Sequence, residues 1–488
     1  MEIRGGNAAM LGMKDISGLA LTGLASDSRK VKPGYLFAAL AGTKTDGARF
    51  VKDAVARGAV AVMGPPALAD DVAALGVHFI SEENPRLGLA RFAAAFYAGQ
   101  PEIVAAVTGT KGKSSIVAFL REIWTALGIP AASLGTVGVI GPKGALPLSH
   151  TTPDPVAIHE LLATLKQDGV DHLALEASSH GLDQHRLDGV KIAACSFTNI
   201  TRDHMDYHPT FEAYLDAKLR LFRELVQEGG VAVVNADAAH AEAFIDAARG
   251  RGLKLITVGR KGETIHLDRR EDRGGSQALT LHYLGRIYYI DLPQAGEFQA
   301  SNALVAAGLA IGLGGDAAKV FEALEHLKGA PGRMEKVAIA ASGAPIYVDY
   351  AHTPDSLEKI LEALRPHTAN RLHVVFGCGG DRDKGKRPLM GAVAVKLADD
   401  VIITDDNPRS EDASVIRGEI LAAAKGAREI GDRAQAIRTA VADLKTGDVL
   451  VLAGKGHETG QYVKGEVFPF SDRDQAIQAA VALGGRPA

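Results

Sequence analysis

Short runs of Val, Ile and Leu alternate with helix-period segments along most of this chain, the pattern of α/β architecture with largely parallel sheets. After SDSRKVKPGYLFAAL, the stretch ARFVKDAVARGAVAVMG reads as a helix followed by a strand. The helical RLGLARFAAAFYAGQ breaks at QPE, and IVAAVTGT opens a second unit with further strands at HLALEAS, KIAACSFTNI and VAVVNAD. A Gly- and charge-rich section, GRKGETIHLDRREDRGGSQ, has the look of a hairpin excursion, and ASNALVAAGLAIGLG is helical. GAPGRME, with Pro331 and Gly332, reads as a second linker. Beyond it APIYVDYA, LHVVFGCG, DVIITDD and DVLVLAGKG are buried-type strands separated by SLEKILEALR, PLMGAVAVKLA and VIRGEILAAA. That is a doubly wound sheet whose polar loops follow strand C-termini, where such folds place ligands. The expected organisation is α/β in three domains: a small α/β domain over 1–99, a central P-loop-type domain with a mainly parallel sheet over 100–331, and a Rossmann-like doubly wound domain over 332–488.

Length agrees with several domains, since 488 residues exceed one ordinary core. The charge balance, 54 basic against 58 acidic residues, argues against a general nucleic-acid surface. Cys195 and Cys378 lie in apolar strand contexts, which excludes a disulfide framework and fits a reducing compartment. The start, MEIRGGNAAMLGMKDISG, lacks the basic and apolar regions of a signal peptide, and no apolar run is long enough for a membrane span. A soluble, cytoplasmic protein without membrane insertion is expected.

Chemistry enters with VTGTKGKSS, a strand running into a Gly-rich loop and then an amphipathic helix. Backbone N–H groups of such a loop cradle phosphates at a helix N-terminus, Lys113 reaches the β/γ-phosphates and the Ser114 hydroxyl ligates Mg²⁺. The spacing, G-x-x-G-K-S, is two residues tighter than the usual phosphate-loop pattern. In LALEASSHGLDQHRLDG, Glu176 ends a strand near the loop and suits the second metal ligand. On its own such a Glu is more often capping or solvated, but Ser178, Ser179, His180, Gln184, His185 and Arg186 make an unusual density of polar groups. In TNITRDHMDYHPTFEAYLDAKLRLF the spacing of His204 and His208 admits zinc, while Asp203, Asp206 and the phosphate loop favour Mg²⁺. Lys218 by itself reads as a solvated lysine on an amphipathic helix. In the third unit VDYAHTPDS, FGCGGDRDKGKRPLM, TDDNPRSED and LAGKGHETGQY all begin at strand ends, so Asp349, His352, Asp355, Arg382, Arg409, His457 and Glu458 are expected to converge on one crevice.

Together these motifs, with SDSRKVKPG, HTTPDP and PGRME, resemble in order those of the Mur ligases, the ATP-dependent amino-acid-adding enzymes of peptidoglycan synthesis, over nearly the whole chain. The resemblance implies an ADP-forming ligase: ATP phosphorylates a peptide carboxylate to an acyl phosphate, and an amine then displaces phosphate. It implies ATP contacts from Thr108, Gly109, Thr110, Lys111, Gly112, Lys113, Ser114 and Ser115, with Asn302, Arg333, Asp349 and His352. Ser114 and Glu176 would hold one Mg²⁺; Glu176, His204 and a CO₂-derived carbamate on Lys218 would hold a second. Lys113, Glu176, His204 and Lys218 are the catalytic set. Ser28, Thr151, Thr152, Ser178, Gln184 and Arg186 would bind the UDP-sugar-peptide, making 1–99 the UDP-substrate domain, 100–331 the ATP domain and 332–488 the amino-acid domain. Gln299 and Ser114 depart from the family's usual Asn and Thr.

By the same resemblance the added residue is meso-diaminopimelate, joined to UDP-MurNAc-L-Ala-D-Glu, with Arg382, Asp406, Asn407, Arg409, Gly454 and Glu458 as its contacts. Lysine-adding members replace the Arg of DNPR. Diaminopimelate carries a distal carboxylate that lysine lacks, and a planar guanidinium grips it with two parallel hydrogen bonds. For Arg409 the competing reading is an internal ion pair with Asp405 or Asp412. The competing functions are the same ligase with L-lysine, a folylpolyglutamate-synthetase-like ligase, a non-catalytic nucleotide-binding module and a P-loop kinase. A monomer is expected.

Overall fold

The computed structural model describes residues 19–42, 45–148 and 150–488, so the leader reading at the N-terminus lies outside the described residues. By contacts the chain divides into two compact units. The first comprises residues up to Lys113, Gly128–Val234 and Ala238–Leu255; the second comprises Ser114–Leu127, Asn235–Asp237 and Ile256–Ala488.

The first unit begins with a small parallel sheet in the order β1 (Gly23–Ala25), β2 (Tyr35–Ala38), β3 (Ala59–Gly64), β4 (His78–Ser81). The helix Pro85–Tyr97, capped by Asn84, lays Leu89, Phe92 and Ala93 against Leu36, Ala61 and Met63. The larger sheet follows: β5 (Ile103–Thr108), β6 (Ala131–Gly135), β7 (Gly138–Gly141), β8 (Gly144–Leu146), β9 (His172–Glu176), β10 (Ile192–Phe197) and β11 (Val226–Asn235). They lie in the order β8-β7-β6-β9-β5-β10-β11, parallel from β6 to β11 with β7 and β8 as an antiparallel edge. Thr108 pairs with Phe197, and Val107 with Glu176. Three parallel strands therefore end level, and their loops leave one sheet edge. The β6–β8 meander is absent from the sequence reading; its strands are only three to five residues long and all three carry terminal glycines.

From β12 (Lys254–Gly259) onward, β13 (Ile265–Arg273), β14 (Ser276–Tyr283) and β15 (Arg286–Leu292) include the expected hairpin excursion. The C-terminal sheet comprises β16 (Glu335–Ile339), β17 (Pro345–Asp349), β18 (Leu372–Phe376), β19 (Asp400–Ile403), β20 (Arg428–Glu429), β21 (Val449–Ala453) and β24 (Arg486–Pro487). Its order is β20-β19-β18-β21-β17-β16-β24, parallel across β20 to β17 and closed by antiparallel β16 and β24. A separate hairpin pairs β22 (Gly460–Val463) with β23 (Glu466–Pro469). Both faces of this sheet are covered, as its unbroken apolar strands require. Asp349 pairs with Ala453, and Phe376 with Ala453 and Ile403. The loops after β17, β18, β19 and β21 thus leave one edge together.

Candidate active site

The Gly-rich loop sits between β5 and the helix Lys113–Ala126. Gly109 adopts φ +148°, and a Cβ there would lie 1.9 Å from Thr198 Oγ1, so only glycine fits against the end of β10. The loop is braced from that strand: Thr110 N donates to Asn199 O (2.8 Å), Lys111 N to Asn199 Oδ1 (3.0 Å), and Thr198 Oγ1 to Lys111 O (2.6 Å). Thr110 Oγ1 meets Tyr214 OH at 2.9 Å, and Thr108 Oγ1 donates to Ala177 O at 2.8 Å. Thr198, Asn199 and Tyr214 were not singled out as site residues in the sequence, although two of them lie inside TNITRDH and one inside YLDAK.

Lys113 Nζ turns back to Gly109 O (2.8 Å) and Thr110 O (2.9 Å). Lys218 Nζ reaches the same Gly109 carbonyl, also at 2.8 Å, and stands 4.5 Å from the Tyr214 ring centroid. Lys218 is only 1% exposed, which corrects the reading of a solvated helix lysine. Its tail is drawn inward by the apolar face that also buries Tyr214 and Ala217. Burial, with the Lys113 charge as a lesser cause, holds its amine well below the ordinary lysine value. His204 has φ +55° and a half-exposed ring 5.0 Å from that of His180. Ser114 and Ser115 are buried in the first turn of the helix. Among the described residues no group of three or more His, Cys, Asp and Glu could hold a metal ion.

Glu176 is buried at the end of β9 rather than solvated. Its Oε1 accepts from Thr136 N (2.8 Å) and its Oε2 from Thr136 Oγ1 (3.2 Å). Gly135 makes the approach possible, since a Cβ there would lie 2.1 Å from Glu176 Oε1. A continuous hydrogen-bonded chain runs outward from this carboxylate. Thr136 Oγ1 meets Thr151 Oγ1 (3.0 Å), and Thr152 Oγ1 donates to Glu176 O (2.8 Å) while accepting from Ser178 N (3.1 Å). Arg186 donates to Thr152 O (2.7 Å) and to Gln184 Oε1 (2.7 Å), and Gln184 Nε2 donates to Tyr207 OH (3.0 Å). Five of the six expected UDP-substrate residues therefore form one network, joined by Thr136 and Tyr207, which the sequence reading missed. Ser28 is not a member; it is buried on the turn Ser28–Lys30, where its hydroxyl holds down the Asp53 carboxyl.

In the second unit Arg333 lies over the Tyr350 ring (4.7 Å), and the His352 and His457 rings flank the same tyrosine at 4.7 and 5.5 Å. Asp349 Oδ2 accepts from Met334 N at 2.7 Å. Asn302 is buried on the helix Glu297–Gly312, with Nδ2 donating to Gln299 Oε1 at 2.9 Å. Gln299 Nε2 is buried and has no hydrogen-bond partner among the described residues.

The DNPR loop follows β19. Arg409 adopts φ +53° and is fixed on both sides by the neighbouring hairpin: its N donates to Tyr462 O (2.9 Å) and its O accepts from Lys464 N (2.6 Å). Its Nη1 donates to Gly380 O at 2.6 Å. Among the described residues Arg409 forms no ion pair: Asp405 pairs with Arg417, and Asp412 caps the helix Ala413–Leu421. Asn407 and Asp406 are buried, and burial raises the Asp406 carboxyl. Asn407 Nδ2 donates to Glu458 Oε2 at 2.8 Å. Gly454 has φ +114°, with Asp406 Oδ2 2.6 Å from where its Cβ would be. Arg382 is exposed in the loop after β18.

A phosphate-type loop at the edge of one parallel sheet, and four polar loops at the edge of another, define an α/β enzyme that handles a nucleotide and a charged small molecule. Models of that kind match the chain in three stretches: a Mur ligase family catalytic domain over residues 20–97, a Mur ligase middle domain over 107–310, and a Mur ligase glutamate ligase domain over 332–456. The chain belongs to the Mur ligase family. It is 58% identical, over 96% of both chains, to a UDP-N-acetylmuramoyl-L-alanyl-D-glutamate--2,6-diaminopimelate ligase from Bradyrhizobium diazoefficiens. A solved structure of a ligase of the same name is 34% identical, covers 95% of each chain and superposes with TM-score 0.71. A MurF ligase from Thermotoga maritima, solved with ADP, shares the fold at 18% identity and TM-score 0.59, over 96% of this chain and 98% of its own.

Proposed function

We propose that the protein is an ATP-dependent, ADP-forming ligase that joins meso-diaminopimelate to the D-Glu carboxylate of UDP-MurNAc-L-Ala-D-Glu, in the cytoplasm, during peptidoglycan precursor synthesis. The observation that carries the choice of amino acid is Arg409, held at φ +53° with its guanidinium in no ion pair among the described residues. The high identity to relatives of that name supports the rest. Division into domains 1–99, 100–331 and 332–488 belongs to the same reading, as does a monomeric state.

Thr108 to Ser115 would bind the ATP phosphates, with Asn302, Arg333, Asp349 and His352 toward the nucleoside. Lys113 would exchange its two loop carbonyls for the γ-phosphate, placing a cation where charge develops in phosphoryl transfer. Thr151, Thr152, Ser178, Gln184 and Arg186, with Ser28, would hold the UDP-substrate so that its carboxylate faces the γ-phosphate. Arg382, Asp406, Asn407, Arg409, Gly454 and Glu458 would present the amine. The carboxylate oxygen attacks the γ-phosphorus and ADP leaves with the P–O bonding pair; the neutral amine nitrogen then attacks the acyl-phosphate carbonyl carbon, phosphate leaves with the C–O bonding pair, and the nitrogen gives up its extra proton to solvent.

Two Mg²⁺ ions would supply further neutralisation of phosphate charge when bound, on Ser114, Glu176, His204 and carbamylated Lys218. The donor chemistry fits. Lys113 and Lys218 meet at one carbonyl, and burial there disfavours the Lys218 ammonium; the neutral amine is the form of a lysine that reacts with CO₂ to become an anionic oxygen ligand. The test is phosphate release with UDP-MurNAc-L-Ala-D-Glu and ATP across a panel of amino acids. Release is expected with meso-diaminopimelate and little with lysine; release indifferent to the amino acid would refute the assignment.

A further inference from the structure

Lys455 follows β21 by two residues, and its side chain is fully buried. Its ammonium has three N–H groups and three acceptors: Asn407 Oδ1 (3.0 Å), Glu458 Oε2 (3.1 Å) and Gly460 O (2.7 Å). It therefore ties the loop after β19, the loop after β21 and the start of the β22–β23 hairpin to one point. Asn407 is oriented by this contact. Its Oδ1 takes Lys455 Nζ and Tyr462 N (3.1 Å), so its Nδ2 is committed to Glu458 Oε2 (2.8 Å). One oxygen of Glu458 thus carries two donors, and Oε1 is the oxygen left for a substrate ammonium.

The charges matter as much as the geometry. Glu458 pairs with Lys455 at 3.1 Å, and Asp406 is buried on the neighbouring loop. Arg433 and Asp472, close behind, neutralise each other in a fully buried pair. Lys455 thus compensates the Glu458 carboxylate, so that Glu458 can accept from the ammonium of a distal group that also carries a carboxylate. Without Lys455 the Glu458 carboxylate lacks that counter-charge, which suits a bare ammonium better than a zwitterion.

Resting on the diaminopimelate reading of this site, we propose that Lys455 is a positioning residue that sets selectivity: it orients Asn407 and Glu458 and balances their charge so that a zwitterionic distal group is preferred to a cationic one. It does not touch the substrate itself.

The test compares wild type, Lys455→Met and Lys455→Arg by initial-rate phosphate release, with meso-diaminopimelate and L-lysine each varied at saturating ATP and UDP-MurNAc-L-Ala-D-Glu. In Lys455→Met the KM for diaminopimelate is expected to rise about tenfold or more, the scale of one lost charged hydrogen bond, while the KM for ATP moves less than about twofold. The ratio of kcat/KM for diaminopimelate to that for lysine falls by roughly the same factor, and Lys455→Arg restores much of the ratio. Thermal unfolding accompanies each variant, and Lys455→Gln, neutral but able to donate, replaces Lys455→Met if the latter does not fold. An equal loss for both amino acids, or an unchanged ratio, makes Lys455 merely structural and overturns the inference while the diaminopimelate reading stands. A wild type that ignores diaminopimelate overturns both.

Discussion

The phosphate-type loop and the DNPR loop both sit at the C-terminal edge of parallel strands, yet they are held by opposite means. The first is held by backbone. Lys113 and Lys218, from the helix Phe211–Arg220, converge on the Gly109 carbonyl, and the loop's path is set by glycine and by hydroxyl and amide braces from Thr198 and Asn199. The second is held by buried charge. Lys455 binds Asn407 and Glu458; behind it Arg433 pairs with Asp472 at 2.6 Å and donates to Ala453 O at 3.0 Å. A polyphosphate presents the same oxygens in every turnover, so repeated backbone N–H groups suffice to cradle it. An amino-acid head must be distinguished from close analogues, and discrimination needs side chains whose loss leaves a partner unpaired.

The largest effect should separate the two designs. Asp472→Ala leaves Arg433 buried and unpaired, so unfolding by denaturant should show a loss of about 3–5 kcal/mol. Lys113→Ala should leave thermal unfolding nearly unchanged but lower kcat for phosphate release by roughly 10²–10³-fold. If Lys113→Ala instead unfolded the protein, the backbone-held description of that loop would be wrong. Arg409→Lys keeps the charge and loses the fork, so the KM for diaminopimelate should rise by the equivalent of about 1–3 kcal/mol, with lysine use little affected. Gly109→Ala introduces a Cβ against Thr198 at φ +148°, and a stability loss of roughly 1–3 kcal/mol with a raised KM for ATP is expected.

The smallest effect is in acid. Hydrogen bonds from Arg387 hold the Glu411 carboxyl down from 4.5 to about 2, with the Asp381 N–H second. A depressed folded value means this contribution is present above pH 4.5 and is lost as pH falls toward 2. Glu411→Gln should flatten the acid arm of a stability profile across that window, and an unchanged arm would show that Glu411 does not couple to folding.

Much of the fold was legible because the strands are unbroken apolar runs and the helices carry clear periodicity. HLALE, LHVVF and VLVLA can only be strands covered on both faces. The β6–β8 meander was not, because strands of three to five residues bounded by glycine leave no period to read. With it went Thr136, the residue that actually meets both Glu176 oxygens. Lys218 was misread locally for a related reason: one lysine on an amphipathic helix says nothing of which neighbours cover it.

Family, fold class and the two sets of polar loops were settled by sequence, since local pattern and ordered motifs depend on near neighbours along the chain. Which groups meet was settled by register. Only the level ends of β5, β9 and β10 put Glu176 and the glycine loop on one edge. Only the packing of three loops around Lys455 shows why a buried cation belongs beside Asn407 and Glu458. The Lys455–Asn407 and Lys218–Gly109 contacts join residues 48 and 109 positions apart, and burial, which decides whether a charge must be paired, exists only once those distant segments have packed.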